Sequence, residues 1–234
     1  MNMKFTLAAI ACLFAATTSP AAMMNYGTFS GATVDFIDVT EDNLEDSLFY
    51  DVQGTANDSL LIDPNSFGVQ QNPGPGAHFL DSELQMMIMA REGGSVDMIS
   101  FQEEGDYTLL GSGKVEASIA YFWQILEVDN TPITPVSGSG TTSFESTSNG
   151  SGQIWDLSFN IDLNAGLAEA GLSGTITKVG FNFDNSLTAT ADDSSSVAFI
   201  KKKQFGGVQI SVPEPTGIFS ALVGLLGLAG IRRR

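Results

Sequence analysis

Apolar residues fall in short runs along most of the chain, separated by Gly, Pro, Asn, Asp and Ser. Residues 27–39 alternate Phe29, Ala32, Val34, Phe36 and Ile37 with small or polar neighbours. Further runs occupy residues 59–69, 79–90, 96–101, 107–110, 115–128, 153–163, 172–183 and 197–210. Phe181-Asn182-Phe183 and Trp155-Asp156-Leu157 carry the period of two that sends alternate side chains to one face of a strand. Many short strands at near-even spacing, with turn residues between them, predict an all-β chain: one β-sandwich or jelly-roll-like domain. Helix is confined to two short candidate segments, residues 41–49 and 163–170.

Three stretches read as connections. Residues 72–77, NPGPGA, form a rigid turn in which Pro fixes φ and Gly supplies positive φ. Residues 134–152 are rich in Ser, Thr and Gly with Phe144 as the one aromatic, and read as a flexible surface loop. Residues 191–196, ADDSSS, make a polar link into the last strand.

The two ends follow other patterns. Residues 1–22 hold one base, Lys4, an apolar run over 5–16 and then small residues, as a secretory signal peptide does. Cleavage is expected after Ala21 or Ala22, with Ser19 and Ala21 at −3 and −1 for the first cut. Alternatives are an uncleaved anchor helix, for which the run is short against a bilayer core of ~30 Å, and a lipoprotein cut before Cys12. Cleavage at Ala21 or Ala22 leaves no cysteine, so no disulfide staples the body. At the other end, Val212-Pro213-Glu214-Pro215 precedes an apolar stretch over 217–231 and then Arg232, Arg233 and Arg234. Three terminal arginines beside an apolar helix mark a cytoplasmic stop. At 1.5 Å per residue that stretch spans only about 22 Å, a short transmembrane helix suited to temporary holding. The organisation read from this is a signal peptide over 1–22, an ectodomain over 23–211 and a sorting and anchor segment over 212–234.

The segment VPEPTGIFSALVGLLGLAGIRRR is similar to the PEP-CTERM sorting tail of Gram-negative surface proteins, in which Pro-Glu-Pro precedes a single helix and a basic terminus. The resemblance implies that an exosortase, a multi-pass membrane protease or transpeptidase, reads Val212, Pro213, Glu214 and Pro215 and removes the helix. It implies transient anchoring in the inner membrane, then release to the cell surface or extracellular matrix. It also implies a link to exopolysaccharide and biofilm. Residues 59–67 and 100–107 are similar to segments of a group of PEP-CTERM proteins for which no activity can be carried over.

Charge narrows the partners. The chain has 27 acids against 10 bases, a formal charge of −17. Residues 23–212 keep 26 of those acids and 6 of the bases, a formal −20. Phosphate recognition needs clustered Lys and Arg, so a nucleic-acid partner is excluded. The acid excess favours solubility, and divalent cations could bridge it to acidic extracellular polysaccharide.

The chemistry-bearing residues are sparse. His78 is the sole histidine and opens a strand, where a solvated imidazole is the simplest reading; neither a triad nor a zinc site has enough partners. Glu103, Glu104 and Asp106 in EEGDY could serve as a glycosidase acid/base pair or a calcium loop. The simpler reading is a turn whose acids face water while Phe101 and Tyr107 pack. Asp38, Glu41, Asp42, Glu45, Asp46, Asp192 and Asp193 offer hard oxygen ligands for calcium. None has the spacing of a defined loop, so diffuse calcium binding is expected, with no named metal site and no cofactor. No catalytic residue emerges. The expectation is a non-enzymatic exported protein with a structural or binding role. The alternatives are a secreted carbohydrate-active enzyme, or a carbohydrate-binding module displaying Trp123, Trp155 or Tyr121 on a flat face. The apolar neighbours of those three aromatics place them in the core instead.

Overall fold

Alternating burial builds thirteen strands and one helix among the described residues, which in this computed structural model are 23–42, 48–49, 51–55, 57–64, 66–202 and 208–213. The first sheet joins β1 (Met24–Ser30), β2 (Val34–Glu41), β6 (Gly76–Ala90), β11 (Ile176–Ala191), β8 (Gly113–Val128) and β9 (Thr131–Ser146), in that spatial order. The second centres on β7 (Met98–Leu110), with β10 (Gly150–Asp162) along one edge. The other edge of β7 carries two strands end to end, β12 (Val197–Lys202) and β13 (Val208–Ser211). Outside them lie β5 (Gly68–Gln71) on β12, β4 (Ser59–Asp63) on β13, and β3 (Asp51–Thr55) on β4. Every pairing is antiparallel, and the two sheets face one another as a β-sandwich.

The core is where the inward positions of both sheets meet. Phe183 of β11 lies edge-on to Phe101 of β7 at 5.0 Å and to Phe49 at 5.7 Å. Phe159 of β10 stacks on Phe101 at 4.9 Å and on Tyr121 of β8 at 4.3 Å. The one helix, α1 (Leu163–Glu169), starts where the Asp162 carboxylate accepts from Ala165 N–H at 2.9 Å, and it buries Leu163 and Leu167 on one side.

The all-β expectation and the helix near residues 163–170 agree with this architecture. Four sequence readings are corrected. The Ser/Thr/Gly stretch expected as a flexible loop over 134–152 is mostly strand β9, followed by the start of β10. Its small residues suit it to that place, because a Cβ on Gly138 would sit 2.5 Å from the Trp123 ring and one on Gly140 2.5 Å from Cζ of Tyr121. EEGDY is not a turn but the middle of β7, which merges the two runs expected as separate strands. Residues 27–39, 59–69 and 197–210, each expected as one run, are each divided between two strands. In the helix candidate over 41–49, the described residues 41, 42, 48 and 49 are non-helical: Glu41 ends β2, and its carboxylate accepts from Leu48 N–H at 2.7 Å.

Among the described residues no helix is long and apolar enough to cross a membrane. The expected signal cleavage at Ala21 and Ala22, Glu45 and Asp46, Glu214 and Pro215, the apolar stretch 217–231 and Arg232, Arg233 and Arg234 lie outside the described residues. Val212 is buried and donates its N–H to Asp58 O at 2.9 Å, whereas Pro213 is exposed.

Candidate functional site

The outer face of the first sheet aligns side chains in rows. Thr40 pairs with Gln85, Gln85 with Asn182, and Asn182 with Phe122. In the next row Met87 and Gln124 flank Gly180. Without a side chain Gly180 leaves a dip, where an added Cβ would meet only Leu126 Cδ1 at 3.9 Å. The result is an open groove of about 500 Å³ crossing the strands. Phe122 stands in it 40% exposed, among the amides of Gln85, Gln124 and Asn182 and the carboxylate of Asp38. Asn182 is held in place by donating to Glu83 at 2.6 Å.

An acidic margin borders the groove. Partial desolvation pushes the Asp184 carboxyl above its ordinary value, and the neighbouring charges of Asp81, Glu83 and Asp42 push the same way. Asp42 accepts from Ser82 Oγ at 3.1 Å and Glu83 N–H at 3.0 Å.

A second cluster lies inside the sandwich. Lys202 of β12 and Glu103 of β7 have fully buried side chains, and their Nζ···Oε2 distance is 2.5 Å. Asn185 of β11 reaches across from the other sheet. Its Oδ1 accepts from Lys202 Nζ at 2.7 Å and its Nδ2 donates to Glu103 Oε2 at 2.7 Å. The ammonium lies 4.8 Å from the centre of the Phe67 ring and 5.6 Å from that of Trp155. Burial drives the Lys202 pKa below the ordinary lysine value, although Glu103 pulls it back up. Glu103 Oε1 is buried, and no donor among the described residues reaches it.

The other sequence candidates disperse. The pleat of β7 turns Glu103 inward and Glu104 and Asp106 to the opposite face, so the three carboxylates form no single cluster. Asp106 instead pairs with Lys201 at 3.6 Å. His78 is exposed on β6. Trp155 and Trp123 are buried and Tyr121 is half-buried, so they form no flat external platform. Glu41 is buried, accepting from Tyr26 Oη at 2.5 Å and Ser82 Oγ at 2.7 Å. Asp193 accepts from Ser195 N–H and Oγ at 2.8 Å, and these bonds lower its pKa. Among the described residues no group of three or more His, Cys, Asp or Glu is arranged to hold a metal ion. Sequence reasoning missed Asn185 and Lys202, and it missed the groove residues Gln85, Phe122 and Asn182. The inward register of β11 and β12 was the available signal for the first two.

No protein-family model matches the chain, and no curated protein matches its sequence. Among solved structures, the carbohydrate-binding module TmCBM61 in complex with β-1,4-galactotriose aligns with 69% of this chain and 88% of its own, at 10% identity and a TM-score of 0.22. The enzymatically active domain of bacteriophage CBA120 tailspike protein 4 aligns with 82% of this chain but only 19% of its own, at 16% identity and a TM-score of 0.20. Likenesses at this level carry no functional argument.

Proposed function

We propose that this chain is a non-enzymatic, exported cell-surface or extracellular-matrix protein that binds extracellular polysaccharide in the groove of its first sheet. The observation that carries the reading is the exposed Phe122 ring set among Gln85, Gln124, Asn182 and Asp38 in an open, shallow groove. A pyranose has an apolar C–H face that stacks on an aromatic ring and a rim of hydroxyls that needs amide and carboxylate partners. An open groove running across strands accepts a chain of sugars without enclosing it, as a polymer binder requires.

Delivery is assigned to the two terminal segments. In this reading the Val212-Pro213-Glu214-Pro215 sequence acts as a PEP-CTERM signal for an exosortase, with the apolar stretch over 217–231 and Arg232, Arg233 and Arg234 holding the protein in the inner membrane until it is cut. Burial of Val212 against exposure of Pro213 supports this division, since the last described position packed in the sandwich precedes Pro-Glu-Pro.

The test pairs affinity electrophoresis with reducing-sugar assays on the exopolysaccharide of a producing strain. Retardation without sugar release, lost in Phe122→Ala at unchanged melting temperature, is expected. Unretarded wild-type protein overturns the binding reading, and sugar release overturns the non-enzymatic one. For sorting, surface material whose intact mass still ends at Arg234 overturns the exosortase reading.

A further inference from the structure

We propose that Lys202 and Asn185 join covalently, Nζ to Cγ, in an intramolecular amide bond that links the two sheets, with Glu103 as the proton-transferring group. This inference is independent of the groove and of the sorting tail.

Geometry supplies the reactants. Nζ of Lys202 is 2.7 Å from Oδ1 of Asn185. A C=O bond is about 1.23 Å long, so the amide carbon lies no more than about 3.9 Å from the amine, within a small side-chain movement of the roughly 3–3.5 Å at which attack occurs. Glu103 Oε2 touches both nitrogens that must exchange protons, Lys202 Nζ at 2.5 Å and Asn185 Nδ2 at 2.7 Å. The three side chains come from β7, β11 and β12, strands fixed along their lengths, so the encounter is built into the fold.

The surroundings favour the reaction over a lasting ion pair. Burial among Phe67 and Trp155 lowers the cost of the neutral amine, the nucleophilic form of lysine. A buried ion pair repays its desolvation only when its remaining polar atoms are satisfied, and Glu103 Oε1 is not. An amide needs no counter-charge.

The step balances without any external reagent. One Nζ proton passes to Glu103, leaving a neutral amine whose lone pair attacks Cγ. Glu103 returns that proton to Nδ2 and takes a second from Nζ. The Cγ–Nδ2 bond breaks and Nδ2 departs as ammonia. The lysine ammonium and asparagine amide have become a secondary amide plus ammonia, and Glu103 keeps the remaining proton, so the buried charge pair is gone.

Intact-mass spectrometry of the denatured full chain, with its termini sequenced, tests the proposal. The wild type is expected to fall short of its sequence mass by one ammonia, and digestion is expected to yield a branched peptide holding both Asn185 and Lys202. Asn185→Ala, Lys202→Met and Glu103→Gln are each expected to show the full mass, the cross-linked fraction dropping from nearly all molecules to none. Should these variants misfold, the wild-type measurement still decides. Wild-type protein of full mass that releases Lys202 with a free amine overturns the proposal, and so does a Glu103→Gln chain that folds and cross-links as fast as wild type.

Discussion

Trp155 lays its indole across Gly105 on the neighbouring strand: a Cβ at residue 105 would lie 2.5 Å from the ring and closer still to Lys201 O. The same tryptophan donates Nε1–H to Lys201 O at 3.2 Å and shields Lys202. Gly105 is what lets β7, β10 and β12 close over the buried lysine.

Gly105→Ala is therefore expected to destabilise the protein by about 1–3 kcal/mol, the usual cost of forcing extra volume into a packed interior. Urea unfolding measures it. An alanine variant as stable as the wild type would show that both the indole and the β12 backbone at Lys201 have room to shift.

Asp58 pins the β1–β2 turn. Its carboxylate accepts from Thr33 N–H at 2.9 Å, Thr33 Oγ1 at 2.7 Å and Val34 N–H at 3.2 Å. Asp58→Ala leaves these donors without their charged acceptor and is expected to cost about 1.5–3 kcal/mol. Hydrogen exchange at Thr33 and Val34 should quicken more than exchange in β7. Uniform quickening would mean that the effect is global and not local to the turn.

Asp184 makes the opposite case. Its folded-state pKa lies above the ordinary 3.8, so the native state holds this proton more tightly than the unfolded chain does. The favourable contribution is present below 3.8 and is lost as pH rises through the folded-state value. Asp184→Asn is expected to be more stable than wild type at neutral pH, by about 0.5 kcal/mol or less at this exposed position. The gain should vanish below pH 3.8. A gain that is the same at both pH values would trace it to packing rather than charge.

Much of the sandwich was legible because inward positions alternate. Phe181, Phe183 and Leu187 mark the inner face of β11, and Ala198 and Ile200 that of β12. The same alternation puts Asn185 and Lys202 inward, and Glu103 follows Phe101 on β7. A lysine in a Lys-Lys-Lys run reads as solvated unless it is placed in that register. What alternation cannot show is that these three strands face one another, since pairing across sheets is set by packing and not by local period. β9 was misread for a related reason. Its small residues lack apolar alternation of their own because Trp123 and Tyr121 of the adjacent strand fill the space beside them.

The strand order also sets a timetable. β11 lies between β6 and β8, and it comes after both along the chain. Until Ala191 has been synthesised the first sheet has no centre, and β7 lacks the partners along one edge that only β12 and β13 supply. Folding that depends on such distant pairings is slow, and an incomplete chain has little to close upon. The N-terminal half accordingly leaves the ribosome before either sheet can be completed, with β1, β2 and β6 as a partial sheet that must wait for β11.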